Sequence, residues 1–458
     1  MSRNMIKFSL SALFCSLLTT AAWADGAVYA MTNALGNNQI RVYHRDTHGN
    51  LTFVDAVATG GGGSGLQLAA VDSLGSAGSV QLDPGHHLLF AVNTESAQQN
   101  NGMGTYNTDC EQGTITSFRV ASDGTLTFAD RVFSGGLFPD SLTVTKTARG
   151  NDDAQGDENG SEGGELLYVL NAGGPEPPPA CHLTPDSANT PNITGFKVDR
   201  AGHMIPVDST RPIDPGPPSS TSGVNCPPVG FTPPADFQCG LNPPSFPRSP
   251  AQVRFTPDGN QLVVTVKGTN TIYVFPVDEY GRAGSPTKTQ APGPALPSFF
   301  GLTFDKAEHL LVTELFGTAT AIPTPNAGAV SSFTINSAGK LLPISSHIGD
   351  MGTAACWIAL EPTMGKYVYV SNNLSASISS YSVASNGGLT LLAATAASPS
   401  GPNDLAVATE GGASFLYVVA AGTGTVGAFQ INLTNGLLTG LMGGSGLPTN
   451  SAQGLAAF

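Results

Sequence analysis

The sequence predicts an all-β protein, a seven-bladed β-propeller with four-stranded blades, whose ring is closed by N- and C-terminal strands sharing one blade. The composition has 56 glycines, 34 prolines and only 11% charged residues, which favours many short strands and turns over long helices. One four-strand unit recurs along the chain. The first and last copies of that unit are incomplete in complementary ways.

The number of blades follows from two independent counts. The first strand of the unit is a short apolar segment that occurs seven times, as SVQLD (from Ser79), DSLTVT (Asp140), QVRFT (Gln252), GLTFD (Gly301), WIALE (Trp357), DLAVAT (Asp404) and GLAAF (Gly454). The second strand also occurs seven times, from VYAMTN at Val28 to LYVVAA at Leu416. Units of about 45–50 residues with four strands each are typical of propeller blades.

The strand order at the two ends predicts how the ring closes. VYAMTN is a second strand without a first strand before it, and GLAAF is a first strand without a second strand after it. We therefore expect GLAAF to pair with VYAMTN and complete its blade, so that no unpaired sheet edge remains at the join.

Residues 1–24 have the pattern of a secretory signal peptide. Arg3 and Lys7 precede an apolar stretch, and Ala22-Trp23-Ala24 forms an A-x-A cleavage site. We expect residues 25–458 to form a single propeller domain that is periplasmic or secreted. No segment of this domain approaches the roughly 20 apolar residues of a membrane span.

Charge and motifs limit the partners. The formal net charge of −14 disfavours nucleic acid, which requires a basic face. We expect no cofactor and no metal site. The acidic, glycine-rich loop at about 146–165 has carboxylates of the kind that bind calcium, but its spacing is not that of an EF-hand, and we interpret it as a solvated loop.

The long connections are predicted to share one face of the ring, where function usually lies. They join second to third strands or fourth strands to the next blade, and they include a Pro-rich insertion at about 209–249. Candidate disulfides in these connections pair Cys226 with Cys239 and Cys110 with Cys181, and leave Cys356 as a structural thiol.

Candidate site residues come from the starts of first strands and the ends of second strands, which we expect at the channel mouth on that face. Glu95 and Glu314 are the candidate acid/base residues, because burial can keep a carboxyl group protonated near neutral pH. The candidate substrate-binding residues are Asp140, Gln252, Lys267, Phe299, Trp357, Asn372 and Asp404. The alternative for the polar members is a structural role at strand ends. His182 and His347 are predicted to be solvated loop residues.

The repeated pattern G-x-L…P-x-x-L-x-x-x-P-D-G…Y-V-x-N resembles the lactonase family of seven-bladed propellers over essentially the whole mature chain. This family includes the 6-phosphogluconolactonases and the carboxymuconate-lactonising enzymes. The resemblance implies lactone chemistry with a glutamate at the position of Glu314. Where the family has P-R-H before an inner strand, this chain has Pro297-Ser298-Phe299 and lacks both the arginine and the histidine.

Two functions are compatible with these observations. The first is a lactonase-like hydrolase or cyclase that acts on a small lactone, with Glu314 as acid/base. The second is a non-catalytic propeller that binds a small ligand or a periplasmic protein through its long loops.

Overall fold

The computed structural model describes residues 26–65, 72–96, 113–146, 164–173, 190–214, 249–267, 269–290, 297–316 and 324–458. The predicted signal peptide, His182, most of the acidic loop and most of the Pro-rich insertion lie outside these residues. So do the candidate disulfide residues Cys110, Cys181, Cys226 and Cys239. Cys356 is a buried free thiol.

The described residues are almost entirely β-strand and turn. The first half of the chain contains β1 (Gly26–Met31), β2 (Gln39–Arg45), β3 (Leu51–Ala58), β4 (Gly61–Gly62), β5 (Val80–Leu82), β6 (Leu88–Asn93), β7 (Glu95–Ser96), β8 (Thr114–Val120), β9 (Leu126–Phe133), β10 (Pro139–Lys146), β11 (Glu165–Asn171), β12 (Asn192–Val198) and β13 (Met204–Pro212).

The second half of the chain contains β14 (Pro250–Phe255), β15 (Gln261–Val266), β16 (Thr271–Pro276), β17 (Thr287–Gln290), β18 (Pro297–Phe304), β19 (Leu310–Phe316), β20 (Ala329–Ile335), β21 (Leu341–Gly349), β22 (Ala355–Leu360), β23 (Tyr367–Asn372), β24 (Ser377–Val383), β25 (Leu389–Ala397), β26 (Pro402–Glu410), β27 (Ala413–Ala420), β28 (Thr425–Ile431), β29 (Leu438–Gly440), β30 (Gly444–Ser445) and β31 (Leu455–Ala457). A 3-10 turn, Ala421–Thr423, follows β27.

These strands form seven antiparallel blades, as predicted. Blade 1 is β31-β1-β2-β3, blade 2 is β5-β6-β8-β9, and blades 3 to 6 are β10 to β13, β14 to β17, β18 to β21 and β22 to β25. Blade 7 is β26 to β29, with β30 also paired to β28, and β4 pairs with β7 outside the blades. The first strands of successive blades contact each other all the way round, from β31 through β5 and back to β26, so they surround the ring axis.

The ring closes where the sequence predicts. β31 pairs antiparallel with β1, with Ala457 opposite Val28 and Leu455 opposite Ala30. Arg45 is 1% exposed, and its Nε donates to the Phe458 carbonyl oxygen at 3.0 Å. Its Nη2 lies 3.3 Å from Glu410 Oε2 of blade 7. Arg45 thereby links two parts of blade 1 and also joins blade 1 to blade 7.

Second strands lie in the interior of the ring and face two neighbours. β6, β11, β19 and β23 are buried along nearly their whole length. Successive side chains of a strand point to opposite faces. In β19, Leu310 and Val312 pack with residues of blade 4, and Leu311 packs with residues of blade 6. This alternation determines which crevice each polar residue of a second strand enters.

Candidate functional site

A polar residue recurs near the end of the second strand of a blade, opposite the first residue of the third strand. It is fully buried at each occurrence and has an equivalent register: Asn93 opposite Thr114, Asn171 opposite Asn192, Glu314 opposite Ala329, and Asn372 opposite Ser377. The repeat therefore places a glutamate in blade 5 where three other blades have asparagine.

The three asparagines have a structural role. Asn93 Nδ2 donates to the hydroxyl groups of Thr114 and Thr116 at 3.0 Å each, and Asn93 Oδ1 accepts from Asn38 Nδ2 of blade 1. Asn171 Nδ2 donates to Ser134 O of the preceding blade and to Asn192 Oδ1. These bonds fasten the second strand to the third strand and to the blade before it.

Asn372 belongs to the same structural class, although the sequence suggests it as a substrate-binding residue. Its Nδ2 donates to Ser379 Oγ at 2.8 Å. Ser379 Oγ in turn donates to Asp350 Oδ2 of blade 5 at 3.0 Å. The Asn372 side chain is thus enclosed in a polar cluster between two blades.

Glu314 has different surroundings. Its partner in the third strand is Ala329, which offers no side-chain donor. The neighbouring Thr313 Oγ1 donates to Cys356 O of blade 6 at 2.8 Å, so alternation directs Glu314 toward blade 4. Glu314 Oε2 lies 2.5 Å from His347 Nδ1. Glu314 Oε1 is buried without a hydrogen-bond partner among the residues that the structure describes.

His347 is not in a loop, as the sequence suggests, but in β21, the outer strand of blade 5. Two register shifts between β20 and β21 and a left-handed backbone with φ of 55° carry its ring toward Glu314. Its backbone N–H donates to Ser331 Oγ at 2.9 Å, and the ring lies edge-on to Phe316 with centroids 5.6 Å apart. The side chain is 42% exposed, so the imidazole connects a buried carboxylate with solvent.

Two other histidines contact carboxylates, but in a local motif. His203 Nδ1 lies 2.9 Å from Asp199, and His309 Nδ1 lies 2.7 Å from Asp305, each four residues earlier in a tight turn. The same aspartates also accept backbone N–H groups of those turns. Glu314 and His347 are 33 residues apart and belong to no turn, so turn formation does not account for their contact.

This Glu314–His347 dyad is suited to general base catalysis. A neutral imidazole that donates from Nδ1 to a carboxylate has its lone pair on Nε2, and the carboxylate stabilises the imidazolium that forms when Nε2 takes a proton. Among the described residues, Nε2 has no hydrogen-bond partner, and the His347 side chain as a whole is 42% exposed. The tautomer follows from the carboxylate contact.

Phe299 lies beside the dyad. It is opposite Glu314 in the β18–β19 register, is 3% exposed and packs edge-on against Phe333 at 6.4 Å between centroids. An aromatic core residue therefore occupies the position where the family pattern has a histidine. Gln252 lies in the adjacent inner strand, where its Oε1 accepts the Leu302 N–H at 2.6 Å and joins blade 4 to blade 5.

The remaining predicted residues meet at the channel mouth, around a chain segment that the sequence did not indicate. Residues 72–79, here called the hub, precede the inner strand of blade 2 and lie across the channel. The side chains of Asp72, Ser73, Leu74, Ser76, Ala77 and Ser79 are all buried. Lys267 Nζ donates to the hub at Gly75 O, and Trp357 Nε1 donates to Ser76 O at 2.9 Å.

Asp140 and Asp404 also surround the hub. Ser76 Oγ donates to the Asp140 carbonyl oxygen at 2.7 Å, and Asp404 Oδ1 accepts the Gly78 N–H at 3.2 Å. Asp140, Lys267, Trp357 and Asp404 are each less than 5% exposed. These four side chains thus surround the hub, which fills the channel mouth. The backbone of the remaining candidate, Glu95, pairs with Gly62, and its side chain lies outside the described part of the structure.

One family model matches the second half of the chain. Residues 252–449, which span blades 4 to 7, match the family model "Lactonase, 7-bladed beta-propeller". This part of the chain is similar to the lactonase family of seven-bladed propellers. No curated protein sequence matches it.

Solved structures agree with this fold. The protein is similar to a proposed 6-phosphogluconolactonase of Bacteroides fragilis, with 16% identity, a TM-score of 0.60 and coverage of 96% of this chain and 99% of the other. It is also similar to the periplasmic gluconolactonase of Pseudomonas aeruginosa, with 16% identity, a TM-score of 0.58 and coverage of 94% and 98%. At this identity the likeness establishes the fold alone.

Three further features of this propeller complete its description. Its described residues contain no group of three histidine, cysteine or acidic side chains that could hold a metal ion. None of the helical structure in those residues has the length and apolarity to cross a membrane. A cleft of about 500 Å³ lies between the turns of blades 5 and 6, on the face opposite the hub, and Lys306, Lys366 and Tyr367 are among its lining residues.

Proposed function

We propose that this propeller hydrolyses a small lactone at the Glu314–His347 dyad. The observation that carries the proposal is the 2.5 Å contact between the buried Glu314 carboxylate and the half-exposed His347 ring. The matched family region includes both residues. The names of two neighbours in fold, a gluconolactonase and a proposed 6-phosphogluconolactonase, are compatible with the same reaction class.

The reaction follows from the geometry of the dyad. His347 Nε2 removes a proton from water as the water oxygen attacks the lactone carbonyl carbon, while Glu314 accepts the Nδ1–H bond and stabilises the imidazolium. The tetrahedral intermediate then expels the ring oxygen, which takes the proton back from Nε2. One water is consumed, one C–O bond is broken, and the product is a hydroxy acid.

Glu314 Oε1 suggests the kind of lactone. A buried carboxylate oxygen without a donor costs free energy, and a hydroxyl group on the substrate would supply that donor. The Phe316 ring beside His347 offers an apolar contact to the carbon skeleton. We therefore propose a hydroxylated lactone of the sugar-acid type, and we propose that the enzyme meets it outside the cytoplasm, after export directed by residues 1–24.

A panel of sugar lactones and aliphatic lactones tests this function. Glu314→Gln and His347→Gln are each expected to lower kcat about 100-fold or more on the best substrate, because general base catalysis contributes about 10²–10⁴-fold. His309→Gln is the matched control: it removes a histidine–carboxylate contact of similar length in the same blade, at the opposite end of the strands. Its activity should remain within about twofold of wild type.

One observation favours the alternative, a non-catalytic binding propeller. Phe299 and its neighbours replace the arginine and histidine that the family pattern provides, so an anionic substrate would lack that clamp. If no lactone is turned over by wild type, or if the dyad variants are as active as the His309→Gln control, catalysis at the dyad is wrong and the binding function is preferred.

A further inference from the structure

The hub reaches every blade of the ring. Besides its bonds to blades 3, 4, 6 and 7, described above, it bonds to blade 1: Gln453 Nε2 donates to Asp72 Oδ1 at 2.9 Å and to Ser76 O at 2.6 Å, and Gln453 Oε1 accepts the Leu74 N–H. Ala77 packs in one apolar cluster with Phe300 of blade 5. The hub continues directly into β5 of blade 2. An eight-residue segment thus ties together the inner ends of all seven blades.

Buried ionisable groups lie on the hub and around it. Asp72 lies on the hub itself, and the blades around it contribute Asp140 (blade 3), Lys267 (blade 4), Cys356 (blade 6) and Asp404 (blade 7). Among the described residues, those that face the hub from blades 1, 2 and 5 do not titrate: they are Gln453, Val80 and Phe300. Three carboxyl groups therefore share a single ammonium group.

The carboxyl groups are not fully satisfied. Both side-chain oxygens of Asp140 and the Oδ2 atom of Asp72 are buried without a hydrogen-bond partner, within the part of the chain that the structure describes. A buried carboxylate without a donor is strongly destabilising, whereas the protonated acid is much less so. One lysine cannot compensate three negative charges at this depth.

We propose that the hub is a pH-dependent lock on the ring, which holds the seven blades most firmly when its buried carboxyl groups carry protons. This property goes beyond the proposed lactone chemistry, because the Glu314–His347 dyad shares no contact with the hub carboxyl groups. The lock loosens as the pH rises and the carboxyl groups become charged.

The direction of the pH dependence follows from the pKa values. Burial raises the pKa of Asp72 to about 6 and that of Asp404 to about 7, and it raises the pKa of Asp140 well above its ordinary value. In the unfolded chain an aspartate has a pKa of about 4. The stabilising contribution is therefore complete below about pH 4 and is lost as the pH rises through 6 and 7.

Lys267 affects the stability of the folded state in a different pH range. Burial lowers its pKa to about 8, against about 10.4 in the unfolded chain. Its contribution to stability is complete only above about pH 10.4 and is lost as the pH falls through 8. Between pH 5 and 8 the carboxyl groups therefore set the trend.

Urea unfolding of the wild-type protein and of Asp140→Asn at pH 5, 6, 7 and 8 tests the lock. Each proton that the folded state retains and the unfolded state has lost raises the unfolding constant by about tenfold per pH unit. The wild type should therefore become less stable from pH 5 to pH 8. Asparagine has nearly the shape of aspartate, and the substitution breaks no side-chain bond of Asp140. Between pH 5 and pH 8, the rise in the unfolding constant should therefore be smaller in Asp140→Asn than in wild type by a factor of about ten or more.

Glu279→Gln is the control, because Glu279 is an exposed turn residue of blade 4, and its pH dependence should equal that of wild type. A second measurement needs no variant: amide hydrogen exchange in wild type, corrected for the intrinsic effect of pH, should show lower protection of the Ala77 and Gly78 amides at pH 8 than at pH 5. Unchanged protection, or the same pH slope in Asp140→Asn and wild type, would overturn the lock.

Discussion

At the scale of single residues, Asn93, Asn171 and Asn372 define what the recurring polar position does when its role is structural. Each binds side chains or backbone of the third strand or the preceding blade. Glu314 occupies the same position but contacts a histidine instead. Its unpaired oxygen is not distinctive, because Asn171 Oδ1 and Asn372 Oδ1 are also buried without a partner in the described part of the structure. The internal repeat thus provides the comparison that separates a functional side chain from its structural equivalents, within one molecule.

We predict that alanine substitution affects the two kinds of residue differently. Asn93→Ala removes bonds to Thr114, Thr116, Asn38 and Thr59 in a fully buried site. At about 1 kcal/mol net per hydrogen bond, it should lower the free energy of unfolding by about 2–4 kcal/mol.

Glu314→Ala should cost less than Asn93→Ala, because it also removes a buried, partly unsatisfied carboxylate. Urea denaturation at one pH measures both changes. An equal or larger loss for Glu314→Ala would mean that the glutamate is held by structural bonds like those of the asparagines.

Part of this site was predictable from the sequence. Glu314 was suggested as an acid/base residue by its strand position and by the family pattern. In the structure it contacts His347, and its catalytic role stays a prediction. His347 was not identified, because its approach depends on two register shifts and a left-handed backbone that leave no pattern in the sequence. A sequence signal that could have indicated His347 is a histidine in the fourth strand of the blade whose second strand contains Glu314, at a similar height along the blade.

At the scale of elements, the blades were predicted well because strand alternation and turn residues are local signals. The hub was not, because DSLGSAGS has the composition of an ordinary surface connection. What buries it is the space at the ring axis, which exists only after the inner strands are assembled. The sequence suggested Asp140, Lys267, Trp357 and Asp404 as substrate-binding residues at the channel mouth. In the structure they surround the hub, and a role in substrate binding stays a prediction.

Trp357→Phe is a direct test of how firmly the hub is attached. The substitution keeps an aromatic ring against Phe300, whose centroid lies 5.5 Å away, but it removes the N–H bond to Ser76 O. We expect a loss of about 1–2 kcal/mol in the free energy of unfolding, from one buried hydrogen bond and a small cavity. Thermal or urea unfolding followed by circular dichroism measures it. No loss would show that the hub is held without this bond.

At the scale of the whole molecule, the closure of the ring depends on blade 1, which is assembled from distant parts of the chain. Arg45 is the residue that links its components, because it contacts Phe458 next to β31 and Glu410 in blade 7. Glu410 is 32% exposed, whereas Arg45 is 1% exposed. The two partners of this ion pair therefore contribute unequally to closure.

We predict a corresponding asymmetry between two substitutions. Arg45→Met keeps the apolar stem but loses the bonds to Phe458 and Glu410, and should lower the free energy of unfolding by about 2–3 kcal/mol. Glu410→Gln should cost less than about 1 kcal/mol, because a partly exposed ion pair contributes little. Equal losses in urea unfolding would contradict the assignment of Arg45 as the closing residue.

The position of the hub has a kinetic consequence. Residues 72–79 come early in the chain, yet their hydrogen-bond partners extend to Gln453, so they can settle only after distant segments have formed. Proteins dominated by contacts between distant residues fold slowly. Refolding should therefore proceed by gradual addition of blades, with seating of this central segment as the late, rate-limiting event that converts an open arc of sheets into a finished ring.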